Sequence, residues 1–113
     1  MARPDPSQEA LFSAQTVGVA LLDSELAYVR MNDKYAELRR AALEEQLGRH
    51  LDEAQPTLGP VLRPLLERVR AGEPLLGHVL EGSQYHMVID VLPLSSGEFL
   101  VLAVQTLERR QAE

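Results

Sequence analysis

The sequence predicts an α+β domain built on one antiparallel sheet. Between Val17 and Leu38 an apolar run ends in Asp23-Ser24-Glu25 and a second run ends in Asn32, where the period changes from strand to helix. Helical patterns fill the middle of the chain, and strand-like runs return only toward its end. Helices grouped between strands, rather than alternating with them, select α+β. The expected order is a helix, two strands, two or three helices, three strands and the start of a last helix.

Asp5 can cap a first helix, with Pro6 at its first position and Gln8 where a capping box places Glu or Gln. Ala10, Leu11 and Ala14 share its apolar stripe and Phe12 lies beside it. A helix this short is marginal in water, so it must dock. In a strand, residues i and i+2 share a face. Val17, Val19 and Leu21 are apolar, and so are Gly18, Ala20 and Leu22 on the opposite face; Phe99 to Val104 repeats the pattern. Such runs predict cover on both faces in the middle of the sheet. The strand from Tyr85 alternates instead, with Tyr85, Met87, Ile89 and Val91 on one side and His86, Val88, Asp90 and Leu92 on the other. Pro93 and Ser95-Ser96-Gly97 mark its end.

Asn32 is a strong helix cap, followed at helical spacing by Tyr35, Ala36, Leu38 and Arg39. From Pro60, the residues Val61, Leu62, Leu65, Leu66 and Val69 form an apolar stripe, with Arg63, Glu67 and Arg70 outside it. Pro60 suits a first turn, whereas Pro64 removes one backbone bond and predicts a kink or a late start. Gly72 ends this helix and Pro74 prevents its resumption.

With 113 residues, 45% hydrophobic and 25% charged, the chain fits one globular domain. Its net charge of -6 repels a phosphate backbone, and the basic residues Arg39, Arg40, Arg63, Arg68 and Arg70 are interleaved with glutamates. Nucleic-acid binding is not expected. No apolar run approaches a membrane span, so no membrane contact is expected either. Without cysteine there is no disulfide, thiolate metal site or cysteine nucleophile, and a reducing cytoplasm is the simplest home. His50, His78 and His86 lack ligand spacing, so no metal is expected. The carboxylate pairs Asp23 with Glu25 and Asp52 with Glu53 read as a turn and as a polar stretch between helices, not as an acid and base couple. No glycine-rich phosphate loop is present, and the chain is not expected to be an enzyme.

Several segments resemble PAS sensory domains. The Val17 to Leu38 stretch resembles their opening, Leu47-Gly48-Arg49 their G-R step, and Ala71-Gly72-Glu73-Pro74 their T-G-E-P turn. The V-Q-T-L-E-R-R ending is similar to their D-I-T-E-R-K tail. The resemblance spans Glu9 to Arg110 and implies a five-stranded antiparallel sheet with helices covering one face. It divides the chain into an N-terminal flanking helix (1–15), a core (16–105) and the start of a connecting helix (106–113).

It also implies a non-catalytic sensory domain of a signalling protein, bacterial by expectation, such as a histidine kinase or diguanylate cyclase. Such a domain binds a small molecule or partner and regulates a fused output domain. The rival is a ligand-free dimerisation module of the same fold. Haem is not expected, because the Pro60 to Arg70 helix has no histidine, and covalent flavin is not expected without a cysteine. A ligand pocket, if formed, would be lined by Tyr35, Leu62, Leu65, Tyr85 and Met87, with Met31 and Asn32 at its mouth and His78 as a further polar tip. The helices cover one sheet face only, and an Asp5 to Gln15 helix of about 15 Å is too short to shield the other. A homodimer through Leu11, Phe12, Leu100, Leu102 and Val104 is therefore expected.

Overall fold

A computed structural model describes residues 10, 12–13, 15–39, 41–56, 58–82 and 85–105, without the side chains of 39, 81, 82 and 85. The strands are β1 (Gly18–Leu22), β2 (Tyr28–Met31), β3 (Leu75–Gly82), β4 (Tyr85–Pro93) and β5 (Phe99–Gln105). Between β2 and β3 lie α1 (Asp33–Arg39), α2 (Leu43–Gln46), α3 (Leu51–Ala54) and α4 (Gly59–Arg70). One five-stranded sheet runs in the order β2-β1-β5-β4-β3, and each neighbouring pair is antiparallel. The α+β arrangement follows the sequence pattern, with four helices where two or three were expected, because two of them are single turns too short to show a helical period. The capping residues Asp5 and Pro6, Leu11, and the connecting segment from Thr106 lie outside the described residues.

Asn32 knots the first three elements together. Its Oδ1 accepts from Tyr35 N–H at 2.9 Å, capping α1, and also from Val19 N–H at 3.0 Å. Its Nδ2 donates to the Val17 carbonyl at 2.9 Å, and its own N–H to the Val19 carbonyl at 2.9 Å. One amide thus satisfies groups of both a helix end and a strand, which buried backbone requires. The helix so placed crosses close over β1. A Cβ at Gly18 would sit 3.0 Å from the Tyr35 Cα and the Leu38 Cδ1, so any larger residue would push the helix back by a few tenths of an ångström.

The hairpin between β1 and β2 is held by Asp23, whose Oδ1 accepts from the N–H groups of Glu25 and Ala27, both at 2.9 Å. Leu26 takes φ +70°, a left-handed conformation rare outside glycine, while burying its side chain in the core. Sequence reading found this turn from Asp23 but had no signal for a left-handed leucine.

α4 corrects two expectations. Pro60 falls in its first turn as expected, but the helix begins at Gly59 and continues through Pro64 with no late start. Pro64 is exposed and lacks only the one bond its N–H would have made within the helix. The buried stripe is Leu62, Leu66 and Val69, with Leu65 half-buried, whereas Val61 points outward and is half exposed. At 100° per residue, Val61 lies about 120° from the centre of the Leu62 and Leu66 stripe and so faces away from the core.

Two apolar layers flank the sheet. On the helix side, Ala20, Leu22, Tyr28, Leu80, Ile89, Val91, Phe99, Val101 and Ala103 pack with Tyr35, Leu51, Leu58, Leu62, Leu66 and Val69. On the other side Phe12 packs with Val19, Leu21 and Leu100, bordered by Val17, Leu92, Leu94 and Leu102. The apolar run of β1 is thus covered on both faces, whereas that of β5 is covered on the helix side and only in part on the other, where Val104 stays exposed. Replacing Asn32 by Ala is expected to destabilise the fold by about 2 to 4 kcal/mol, the sum of a lost cap and orphaned strand groups. Chemical denaturation measures this, and Asn32→Asp, which keeps the accepting oxygen, should cost less.

Candidate functional site

The helix-side core contains a pair of tyrosines. Tyr28 at the start of β2 and Tyr35 on α1 bring their hydroxyls to 2.7 Å, with rings edge-to-face at a centroid separation of 5.7 Å. Both are almost fully buried. A buried phenol needs a polar partner, and Tyr35 has one within the chain. Tyr28 was not singled out from sequence, since it sits in an unremarkable apolar run. Its signal is the combination of a strand start with Asn32 four residues on, which sets β2 under α1.

The expected pocket residues divide by position. Met31, Tyr35 and Leu62 share one buried cluster, against which Leu65 packs. Met87 is buried opposite Leu80 and on the face of Ile89 and Val91, toward the helices. His78 lies opposite Ile89 on that same face and is half-buried. A bulge precedes it, where Gly77 takes φ +62° and its N–H donates to Asp90 Oδ1 at 2.7 Å. Asn32 has its amide oxygen and nitrogen engaged with β1 and α1. The Tyr85 side chain lies outside the described residues.

Sequence reasoning also missed two buried glutamines. Gln55 Nε2 donates to Gln46 Oε1 at 2.7 Å, Gln46 Nε2 donates to the Ala41 carbonyl at 3.2 Å, and Gln55 Oε1 is buried without a partner. Gln46 lines a cleft of about 320 Å³ with Ala41, Glu45, Arg49, Glu53 and Ala54. A second cleft, of about 370 Å³, lies between Phe12, Ser13, Gln15 and the α1 residues Asp33, Lys34 and Glu37.

The segment joining α2 to α3 is stitched to β2. Gly48 N–H donates to the Tyr28 carbonyl at 2.8 Å and Tyr28 N–H to the Arg49 carbonyl at 3.0 Å. Asp52, expected between helices, lies on α3, where His50 Nδ1 accepts from its N–H at 3.1 Å and so caps the helix. The Asp52 carboxylate pairs with the Arg63 guanidinium on α4. The hydrogen bond from Arg63 holds the Asp52 carboxyl below its usual range, against a smaller opposing effect of desolvation. A depressed folded-state pKa makes this clamp fully effective above the ordinary carboxylate pKa and weakens it as pH falls through the lowered value. Asp52 is thereby occupied structurally, and among the described residues no group of three His, Asp or Glu side chains forms a metal site.

On the outer sheet face, Phe12 stacks under the Arg30 guanidinium, 4.0 Å from its ring centroid. Leu100 is buried there and Leu102 half-buried. Beyond Phe12, the register aligns Val79, Val88 and Val104 in one row across β3, β4 and β5. Val79 is 48% and Val104 42% exposed.

A family model described as the PAS fold matches residues 12–111. The chain belongs to the PAS fold family. PAS domains are sensory input domains of signalling proteins. Among solved structures, the chain is similar to a domain of a sensory box sensor histidine kinase/response regulator from Geobacter sulfurreducens. That match has 21% identity and a TM-score of 0.67, covering 87% of this chain and 90% of that one. A sensory box sensor histidine kinase from Vibrio cholerae matches at 11% identity and a TM-score of 0.70, covering 89% and 90%. The PAS domain of BvgS from Bordetella pertussis matches at 23% and 0.65, covering 88% and 84%. No curated protein matches. Among the described residues of this PAS domain, no helix is long and apolar enough to cross a membrane.

The tyrosine pair yields a direct test. Tyr35→Phe or Tyr28→Phe alone should each cost about 0.5 to 1.5 kcal/mol, and the double variant less than the sum, because both remove the same bond. Equilibrium unfolding of the four proteins of this cycle gives the coupling.

Proposed function

We propose that this PAS domain is a non-catalytic sensory module that passes its state to an output domain through a homodimer formed on the outer sheet face. The observation that carries this reading is the uneven cover of that face. Phe12 closes the β1 and β5 half, whereas the Val79, Val88 and Val104 row continues the apolar surface into solvent. An exposed apolar row that continues a covered layer offers a surface on which a second copy can pack. Leu102 and Leu100 lie beside the row, and Leu11 is a further interface candidate from the sequence alone.

The input is a small molecule or a partner protein. For a small molecule, Met31, Tyr35, Leu62, Leu65, His78, Tyr85 and Met87 are the proposed contacts, with neither haem nor covalent flavin bound. A ligand-free assembly module is the second reading, favoured by the dense burial of Tyr28, Tyr35, Phe99, Leu66 and Met87. Native mass spectrometry separates the two: a stoichiometric small molecule selects the sensor, and a bare mass the assembly module. Visible absorbance of haem or flavin would overturn the cofactor part. The absence of cysteine suits a cytoplasmic setting.

The dimer is tested by sedimentation velocity. The parent protein is expected to sediment as a dimer at high micromolar concentration, and Val79→Asp and Val104→Asp as folded monomers. A monomeric parent, or a dimer indifferent to both charges, would overturn the proposed interface.

A further inference from the structure

The cleft over Gln46 has an unusual charge arrangement. Among the described residues, the cationic side chains otherwise have partners: Lys34 with Glu37, Arg63 with Asp52, Arg68 with Glu73, Arg70 with Glu67, and Arg30 with the Phe12 ring. Arg49 alone has neither a carboxylate nor a ring, although Glu45 and Glu53 line the same cleft. Those two carboxylates also have no ion-pair partner. One positive and two negative side chains therefore surround about 320 Å³ of space without neutralising one another. That volume lies within the range of small-molecule sites.

The floor is polar and rigid. Gln46 is 1% exposed, and its amide is held by Gln55 on one side and by the Ala41 carbonyl on the other. Its Nε2 has a second hydrogen to offer. A guanidinium with an amide N–H suits a carboxylate, and two separated carboxylates suit two cationic groups.

We propose that this cleft binds an α-amino acid with a cationic side chain. The α-carboxylate would be taken by Arg49 and Gln46, and the two ammonium groups by Glu45 and Glu53. The charges of such a ligand complement those of the wall one for one, and the site lies outside the tyrosine core and the outer sheet face. Occupancy also has a route inward, because the Arg49 carbonyl accepts from Tyr28 N–H and the neighbouring Gly48 N–H donates to the Tyr28 carbonyl.

The test is an amide NMR titration of the whole chain with three probes. L-lysine carries all three charges, norleucine lacks the side-chain cation, and cadaverine lacks the carboxylate. L-lysine is expected to give saturable shifts in the 41–54 segment at millimolar concentration or below. Norleucine and cadaverine should each bind about tenfold more weakly or worse, since each forfeits a charge-assisted contact. Arg49→Gln should weaken L-lysine by a similar factor and leave cadaverine unchanged. Arg49 contributes to β2 pairing only through its backbone, so this variant should keep the parent's thermal unfolding. No saturable shift with L-lysine would overturn the proposal. So would cadaverine binding as well as L-lysine, which would reveal a merely acidic surface, or a folded Arg49→Gln variant with unaltered L-lysine binding. The titration does not depend on assembly, so it stands or falls separately from the dimer.

Discussion

The structure depends first on the Asn32 side chain. A helix that starts immediately after a strand leaves N–H groups without partners, and a strand that runs under that helix leaves others. Asn32 meets both needs at once, because one amide offers an acceptor and a donor at fixed separation. With β1, β2 and α1 locked together, α1 crosses over Gly18 so closely that a Cβ there would crowd the Tyr35 backbone. Tyr35 is carried by that helix to the hydroxyl of Tyr28. The polar centre of the core thus follows from a cap.

The remaining helices are fastened differently. α2 and α3 have only four residues each, too few to be stable by their own hydrogen bonds. They are held by tertiary contacts: the 48–51 segment on the start of β2, the Gln46 to Gln55 bond, and the Asp52 to Arg63 clamp onto α4. This is the part of the domain where polar side chains bear the architecture, and it also holds the cleft whose charges stay apart. By contrast, the sheet is secured by apolar burial on both faces, where β1 is buried along its whole length. The sheet and the short helices are thus secured by different means, apolar burial in the one and polar contacts in the other.

Membership of the PAS fold family gives the domain a place among sensory inputs, but the structural neighbours are only 11% to 23% identical to it and speak for the fold alone. Function must therefore rest on this chain's own residues. Two surfaces stand out on those terms. The valine row of the outer face is apolar and open, and the Gln46 cleft is polar and charged. Their chemistries differ enough that assembly and ligand recognition need not compete.

The sequence by itself determined the order of the five strands with helices grouped between β2 and β3, though not that there are four of them, together with the cap at Asn32, the alternation in β4 and the apolar faces of β1 and β5. Each of these is a local pattern, set by backbone chemistry or by a period of two or 3.6 residues. Tertiary structure alone decided the rest. Leu26 adopts a left-handed conformation because its side chain gains a buried site, which no turn rule for that sequence encodes. Pro64 stays within α4 because it faces solvent, where one missing bond is tolerable. Tyr28 matters because β2 passes beneath α1, and Gln46 because α3 returns Gln55 to it across nine residues. In each case the deciding partner is distant or lies across a fold, and one-dimensional periodicity carries no information about which partner that will be.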